Sequence, residues 1–482
     1  MQPLLDALNA LQRVAFTINE PVLDYVKRTS DIALTDAVVA EMLAAHGRFY
    51  VPLNIDFRGR IYAIPHFNFQ REDSVRALFL FADGEPIGED GLKWLKAHVA
   101  ACADGTEWSP AKKPSDLNLD NRVEWTETNL PLLRKIGEAV LRGEDPTHIK
   151  WALPKKPYQF IAACVELVQA LDKGPGFVTR LPLTFDASCS GLQHLCAMTR
   201  ADEGRYVNLV PDDDGDDFYR RVAFKVSEKA ARYMEGRFDR AIVKQPAMSY
   251  FYGSRKGGFT KNQAGRFRPY GMTKQVADVL DERGVRESRA AKLIAHEINN
   301  SIEGMVPKAK KVRDFLEGLA DMCAEKGLPL RWTTPLGLPV INRYHEPKIK
   351  IISVSLKGRR RRVKLAVGDK PSIAKKKATN AVTANFIHSI DAALLQFVAL
   401  AADREGINLV TVHDCFGATA PQAARLNAII REEFVRLHKR HNLLAGVRET
   451  AKRDLRVKEL PPVPAIGSAE IETVLGSFHA FK

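Results

Sequence analysis

Over the first 47 residues apolar positions recur at helical spacing, with Leu4, Leu5, Leu8, Leu11 and Val14 on one face and later Ile32, Ala33, Val38, Val39, Met42 and Leu43. A period of 3.6 residues predicts amphipathic helices there. The pattern changes at YVPLNIDFRGRIYAI, where short apolar segments flank a polar Asp56-Phe57-Arg58-Gly59-Arg60 knot, a strand and turn signature. From about 88 to 172 the spacing is mostly helical again, broken by WSPAKKPSD and WALPKKP, two Pro-Lys segments that read as surface turns. RLPLTFDASCSGLQHLCAM then gives a short β-type run ending at Asp186, a small-residue turn, and helical spacing at Leu192, Leu195 and Met198. A strand that ends on a carboxylate and turns through small residues into a helix presents that carboxylate in a cleft.

PDDDGDDFYRRV places acids before a helix, where the N-terminal dipole favours them. It lacks the spaced ligands and closing Glu of a calcium loop, so it reads as a capping turn. DRAIVKQPAMSYFYGSRKGGF is mainly helix, with Pro246 either in the first turn or at a kink. Helical stretches continue through 273 to 326. Residues 330 to 369 alternate and turn at Lys357-Gly358, which predicts a β-hairpin with a basic tip. Helix returns over 375 to 399, and 407 to 420 predict a strand, a turn at Gly417 and further strand.

At 482 residues the chain can bury a large core in two or three domains or one multi-lobed enzyme. Hydrophobic content of 45% with 27% charged residues excludes disorder as the main state. Lys+Arg 72 against Asp+Glu 58 leaves +14, which points to a polyanionic partner; the plain alternative is a cationic surface kept for solubility. The six cysteines are scattered without a CxxC pair, so a reducing cytosol fits. No apolar run approaches 18 residues, and the amino end lacks the features of a targeting peptide. The expected location is the cytoplasm of a bacterial or phage-infected cell.

The chemistry concentrates at VTVHDCFGATA, residues 410 to 420, where His413, Asp414 and Cys415 interrupt an apolar run. A cysteine nucleophile with a base, a transition-metal site and a carboxylate for a hard cation all fit this stretch alone. Asp186 and Asp414 each end an apolar β-type run, and such residues meet on adjacent strands of an antiparallel sheet. Together they would hold two magnesium ions about 3.5–4 Å apart for phosphoryl transfer. A lone strand-end Asp is more often a turn residue, so the reading needs partners. Arg240 and Lys244, at i and i+4, share a helical face and suit a triphosphate. Tyr252, eight residues after Lys244, is placed to stack under a base while its hydroxyl tests the sugar. The bland reading of this helix is a solvated basic face ending in a core tyrosine.

In order, PLTFDASCSGLQ, RxxxKxxxxxxxYG from Arg240 to Gly253, and VHDCFG closely resemble the three polymerase motifs of the single-subunit DNA-dependent RNA polymerases of T7-like phages and mitochondria. DFRGRIYAIPHFN, NFIHS at 385 to 389 and the aromatic FHAFK extend the resemblance over nearly the whole chain. It implies an α+β right-hand polymerase: residues 1–47 a helical thumb remnant, 48–202 the first part of the palm, 203–388 the fingers, and 389–482 the second part of the palm with the carboxyl-terminal tail. It implies nucleotidyl transfer from ribonucleoside triphosphates to an RNA 3′ end on a DNA template, with two Mg2+ ions on Asp186 and Asp414. Lys244 and Arg240 resemble the triphosphate-contacting pair, and Tyr252, followed by Gly253, the residue that selects ribonucleotides. His388 looks like its partner at the ribose 2′-hydroxyl and His413 like the histidine near the primer end. Arg58 and Arg60 match arginines on the template and nascent strand.

The hairpin at 340–369 corresponds to the specificity hairpin, with Arg359, Arg360, Arg361, Arg362 and Lys364 expected to grip phosphates with weak sequence preference. Relatives carry a long promoter-binding amino-terminal domain and a full thumb, whereas some 50 residues precede DFRGR here, so an accessory protein or second chain is an expected partner. Departures are Pro246 and the pair Gly257 and Gly258 after Tyr252. The rival readings are a primase or DNA polymerase of the related palm family, which the uncharged Cys415 after Asp414 disfavours, and a non-catalytic nucleic-acid-binding remnant.

Overall fold

The computed structural model describes residues 2–29, 32–105, 113–146, 149, 154–212, 215–234, 239–261, 267–283, 288–356 and 359–482. The amino-terminal periodicity becomes helices Gln2–Gln12, Glu20–Thr29 and Leu34–His46. Between the first two, Ala15–Ile18 is a strand rather than helix, paired antiparallel with Phe49–Tyr50 and Phe79–Phe81. The Phe16 ring lies 5.3–6.3 Å from those of Phe49, Phe69, Phe79 and Phe81, and this aromatic packing across strands overrides the local helical spacing. The DFRGR knot is the expected turn, joining β1 (Leu53–Ile55) to β2 (Ile61–Ala63). It is closed by Asp56, whose Oδ1 accepts from the backbone N–H groups of Arg58 and Arg60 at 2.9 and 3.0 Å.

Helix α1 (Pro157–Lys173) buries Phe160, Ile161, Ala163, Cys164 and Leu167. Strand β3 (Leu183–Asp186) leads through the small-residue turn into α2 (Ser190–Thr199). Helix α3 (Phe218–Met234) follows the acidic run, where Asp217 Oδ1 accepts from the N–H groups of Tyr219 and Arg220; the capping reading is thus realised at Asp217, while Asp213 and Asp214 lie outside the described residues. Helix α4 (Arg240–Phe251) starts at the Asp239 cap, so Pro246 lies inside it and Tyr252 stands just past its end.

The basic segment forms a two-stranded arm, β4 (His345–Leu356) and β5 (Arg359–Ile373), preceded by a separate short hairpin of Leu330–Thr333 with Pro339–Asn342. The arm therefore runs further than 369 and starts after 340, and its turn at Lys357-Gly358 lies outside the described residues. Twelve residues of β4 extend for roughly 40 Å. Helix α5 (Lys375–Arg404) has a stretch of mean hydropathy 1.4, long and apolar enough to cross a membrane, but 72% of that stretch is buried inside the protein. It packs as a core helix beside α6 (Ala423–Arg440).

The carboxylates rest on one antiparallel sheet of β6 (Val410–Val412), β7 (Cys415–Ala418) and β3, with β7 central. The chain reverses at His413–Asp414, not at Gly417, which lies within β7 opposite Val410 and Thr184. The reversal needs no glycine because His413 itself adopts φ 59, a left-handed conformation that histidine enters more readily than most residues.

Candidate active site

The register decides where the two aspartates meet. Cys415 pairs with Asp186 across β7 and β3, so Asp414, one residue earlier in the turn, stands beside Asp186 at the end of the sheet. The 480–482 segment lengthens that end, since Asp186 and Lys482 exchange backbone hydrogen bonds of 3.1 Å. Asp186 keeps solvent access although protein surrounds it on most sides, as on a cleft floor. Burial raises both carboxyls. Asp414 is pushed up to about 7, by burial first and then by the charges of Asp186 and Asp391; Asp186 moves the same way, with Lys156, Lys244 and Arg76 pulling against it.

Two carboxylates that disfavour each other's charge form an oxygen donor set suited to a hard cation. Among the described residues no group of three or more His, Cys, Asp or Glu converges. Magnesium needs none, because water and phosphate oxygens complete its shell. The Cys415 thiol is pushed up to about 12 by burial and by Asp186, which makes it a poor nucleophile at neutral pH.

Helix α4 presents the cations. The Arg240 Nε donates to Asp217 Oδ2 at 2.5 Å and its guanidinium lies 5.2 Å from the Tyr219 ring centroid, so the acidic run also steadies this arginine. No carboxylate lies within ion-pair reach of Lys244 among the described residues. Burial and the neighbouring charges of Arg240 and Lys155 lower its pKa, against the pull of Asp186 and Asp217. An ammonium without a carboxylate partner among the described residues, beside other cations, has the chemistry to receive a polyanion.

Tyr252 closes the site from the other side. Its hydroxyl is 3.2 Å from Ser190 Oγ, and its ring is 4.9 Å from that of His388 on α5. The glycines around it are explained by contact: a Cβ at Gly191 would sit 3.2 Å from Tyr252 Cζ, and Gly253, at φ +84, would drive a Cβ to 2.5 Å from the Asn380 carbonyl. Gly253 thus sets the approach of Tyr252 to α5.

Arg58 Nη1 donates to His388 Nδ1 at 2.8 Å. Arginine only donates, so Nδ1 carries the lone pair and Nε2 the proton. Burial and Arg60 push the His388 pKa down to about 3, in accord with a neutral ring. His413 lies edge-on to Tyr62 at 5.0 Å and is pushed down to about 4 by burial and Arg60.

Arg58 and Arg60 are less free than their sequence reading implies: Arg58 is paired with Asp56 at 2.6 Å and Arg60 with Asp391 at 3.1 Å. On the arm, Ser353, Ser355 and Ile351 pair with Arg362, Arg360 and Lys364, which puts those three exposed cations on one face. Arg359 and Arg361 pair in register with Leu356 and Val354. Sequence reasoning missed Ser190, Asp391, His194 and Lys156. Of these only Lys156 gives a signal, in a Pro-Lys segment that reads as a surface turn.

A family model described as DNA-dependent RNA polymerase matches residues 85–464. Among similar proteins, the mitochondrial DNA-directed RNA polymerase of Mus musculus is 33% identical over 429 residues, 84% of this chain and 33% of that protein. The chloroplastic/mitochondrial DNA-directed RNA polymerase 2B of Nicotiana tabacum is 31% identical over 473 residues, 94% of this chain and 44% of its own length. The chloroplastic/mitochondrial DNA-directed RNA polymerase 2 of Arabidopsis thaliana is 31% identical over 466 residues, 92% of this chain and 43% of its own. The chain thus spans less than half the length of these relatives.

Proposed function

The chain belongs to the DNA-dependent RNA polymerase family, and from that premise we propose that it extends an RNA 3′ end on a DNA template with ribonucleoside triphosphates. The observation that carries the proposal is the meeting of Asp186 and Asp414 at one sheet end, faced by a lysine with no carboxylate partner among the described residues. On this reading the three-stranded sheet is the floor of a right-hand palm, residues 203–388 form the fingers, and the basic arm reaches the template.

Each residue then has a task at a stated atom. Lys244 Nζ and the guanidinium of Arg240, steadied by Asp217, hold the triphosphate. The Tyr252 hydroxyl and the His388 Nε2–H face the ribose, where a 2′-hydroxyl separates RNA from DNA precursors. Asp186 and Asp414 are the residues that would hold magnesium. Bound there, it supplies Lewis-acid activation of the attacking hydroxyl and neutralises charge on the departing pyrophosphate.

The test is extension of a labelled RNA primer annealed to DNA, with ribonucleotides and magnesium, on duplex, pre-melted and single-stranded templates. Extension that a chelator abolishes is the expected result. Binding without incorporation on every primed template contradicts it.

A further inference from the structure

Behind the site, four polar side chains that the sequence keeps far apart form one buried chain. Asp391 on α5 accepts from Arg60 Nη2 through Oδ2 at 3.1 Å, and its Oδ1 lies 2.9 Å from His194 Nε2 on α2. The His194 Nδ1 is in turn 2.8 Å from His438 Nε2 on α6. His194 and Asp391 are 1% and 2% exposed and Arg60 14%.

The ionised carboxylate sets what can face it. The Asp391 carboxyl stays ionised: burial works against it, but His194 and Arg60 outweigh that and hold it at about 2. The His194 contact is an ion-pair distance rather than an aligned hydrogen bond, since Asp391 Oδ1 is buried with no hydrogen-bond partner among the described residues; a carboxylate only accepts, so the nitrogen facing it carries a proton, and with His194 neutral its Nδ1 takes the proton of His438 Nε2. His438 Nδ1, buried with no hydrogen-bond partner among the described residues, is then left as a lone pair rather than a stranded N–H, the less costly of the two. From the far side Arg60 meets the carboxylate at Oδ2.

Arg60 has donors to spare. Its Nε is buried with no hydrogen-bond partner among the described residues, and its charge reaches the rings of Tyr252, His388 and His413, which places it at the edge of the site. A buried ion pair is weak evidence for stability, whereas a guanidinium held by one Nη2 and backed by two histidines is fixed in orientation.

We propose that Asp391, braced by His194 and His438, is a positioning residue that holds the Arg60 guanidinium in place to contact the nascent strand. The inference rests on the polymerase reading above, and names how one of its nucleic-acid contacts is oriented.

The test measures binding of a fluorescent RNA–DNA primed template to the full chain by anisotropy, for wild type, Arg60→Ala, Asp391→Asn and the double variant. Asp391→Asn is expected to weaken binding about tenfold, the loss of one oriented charge-assisted contact. The double variant should bind no more weakly than Arg60→Ala alone, because one residue acts through the other. The KM for the incoming nucleotide, held from α4, should change less than the hybrid affinity. His194→Gln, which keeps an N–H near the Nε2 position, should restore most of the affinity that His194→Ala loses. If Asp391→Asn does not fold, the same cycle of His194→Gln and His194→Ala against Arg60→Ala carries the test. Additive losses, or unchanged binding in Asp391→Asn, overturn the inference alone. A wild type that binds no primed template overturns both it and the polymerase reading.

Discussion

Gly191→Ala isolates the placement of Tyr252 from the chemistry at the aspartates. The added methyl would sit 3.2 Å from Tyr252 Cζ and 3.3 Å from both Tyr252 Oη and Phe251 Cβ. Carbon atoms prefer about 3.5–4.0 Å, so the ring must retreat by roughly half an ångström. Overpacking of this kind costs about 1–3 kcal/mol. The 3.2 Å contact between Tyr252 and Ser190 then stretches beyond hydrogen-bond range, at a further cost of about 1 kcal/mol. Since a displacement of 1 Å at a reacting centre is worth about a hundredfold in rate, half of that predicts about a tenfold fall in the preference for ribo- over deoxyribonucleotides. The assay is single-nucleotide primer extension, comparing kcat/KM for the two sugars in wild type and variant. Unchanged selectivity in a folded Gly191→Ala protein would refute the argument that this glycine exists to seat the tyrosine.

Lys244→Met removes an ammonium with no carboxylate partner among the described residues, so folding should hardly change. The KM for nucleotide should rise by about 10- to 100-fold, the worth of a charge-assisted phosphate contact of about 1.5–3 kcal/mol; an unchanged KM would remove Lys244 from the triphosphate site. Acid should destabilise the chain from pH 6.5 downward. Burial holds His98 and His388 near about 3 and His438 well below its ordinary 6.5, so the unfolded chain takes up these protons first. Their stabilising contribution is complete above 6.5 and is lost as pH falls toward 3, by up to about 1.4 kcal/mol per pH unit for each. Asp414, raised to about 7, works in the opposite direction with Asp186 and Glu166, which burial also raises, while His413, held at about 4, and His441, lowered by burial, add to the three histidines. Denaturant titrations between pH 4 and 7, a range set by those pKa values, should show the decline, and constant stability would contradict the neutral-histidine assignment. Replacing Arg360, Arg362 and Lys364 with Gln should lower the salt dependence of DNA binding by about 0.9 for each phosphate the arm no longer neutralises, equally on unrelated sequences; an unaltered slope would detach the arm from nucleic acid.

What the sequence makes legible follows a physical line. Asp186 and Asp414 can be paired in advance because each closes an apolar run of strand type, and two strand ends of one sheet have few places to go. The turn between β6 and β7 is expected at Gly417 because a glycine is the usual signal for reversal, while the chain turns on a left-handed histidine. Tyr252 reads as helical by spacing but stands past the helix end, where Gly253 lets it approach α5. The strand at Ala15–Ile18 is hidden because its partners lie some 30 and 60 residues away. Asp391, His194 and His438 are illegible for the same reason, since an isolated histidine in GLQHLCAM gives no sign of a partner on another helix.

The central claim is that Asp186 and Asp414 act together in nucleotidyl transfer, and the direct measurement is primer extension by Asp186→Asn and Asp414→Asn beside their affinity for the primed template. The account predicts that either substitution abolishes magnesium-dependent extension while template binding remains largely intact. Undiminished extension by either variant would contradict it.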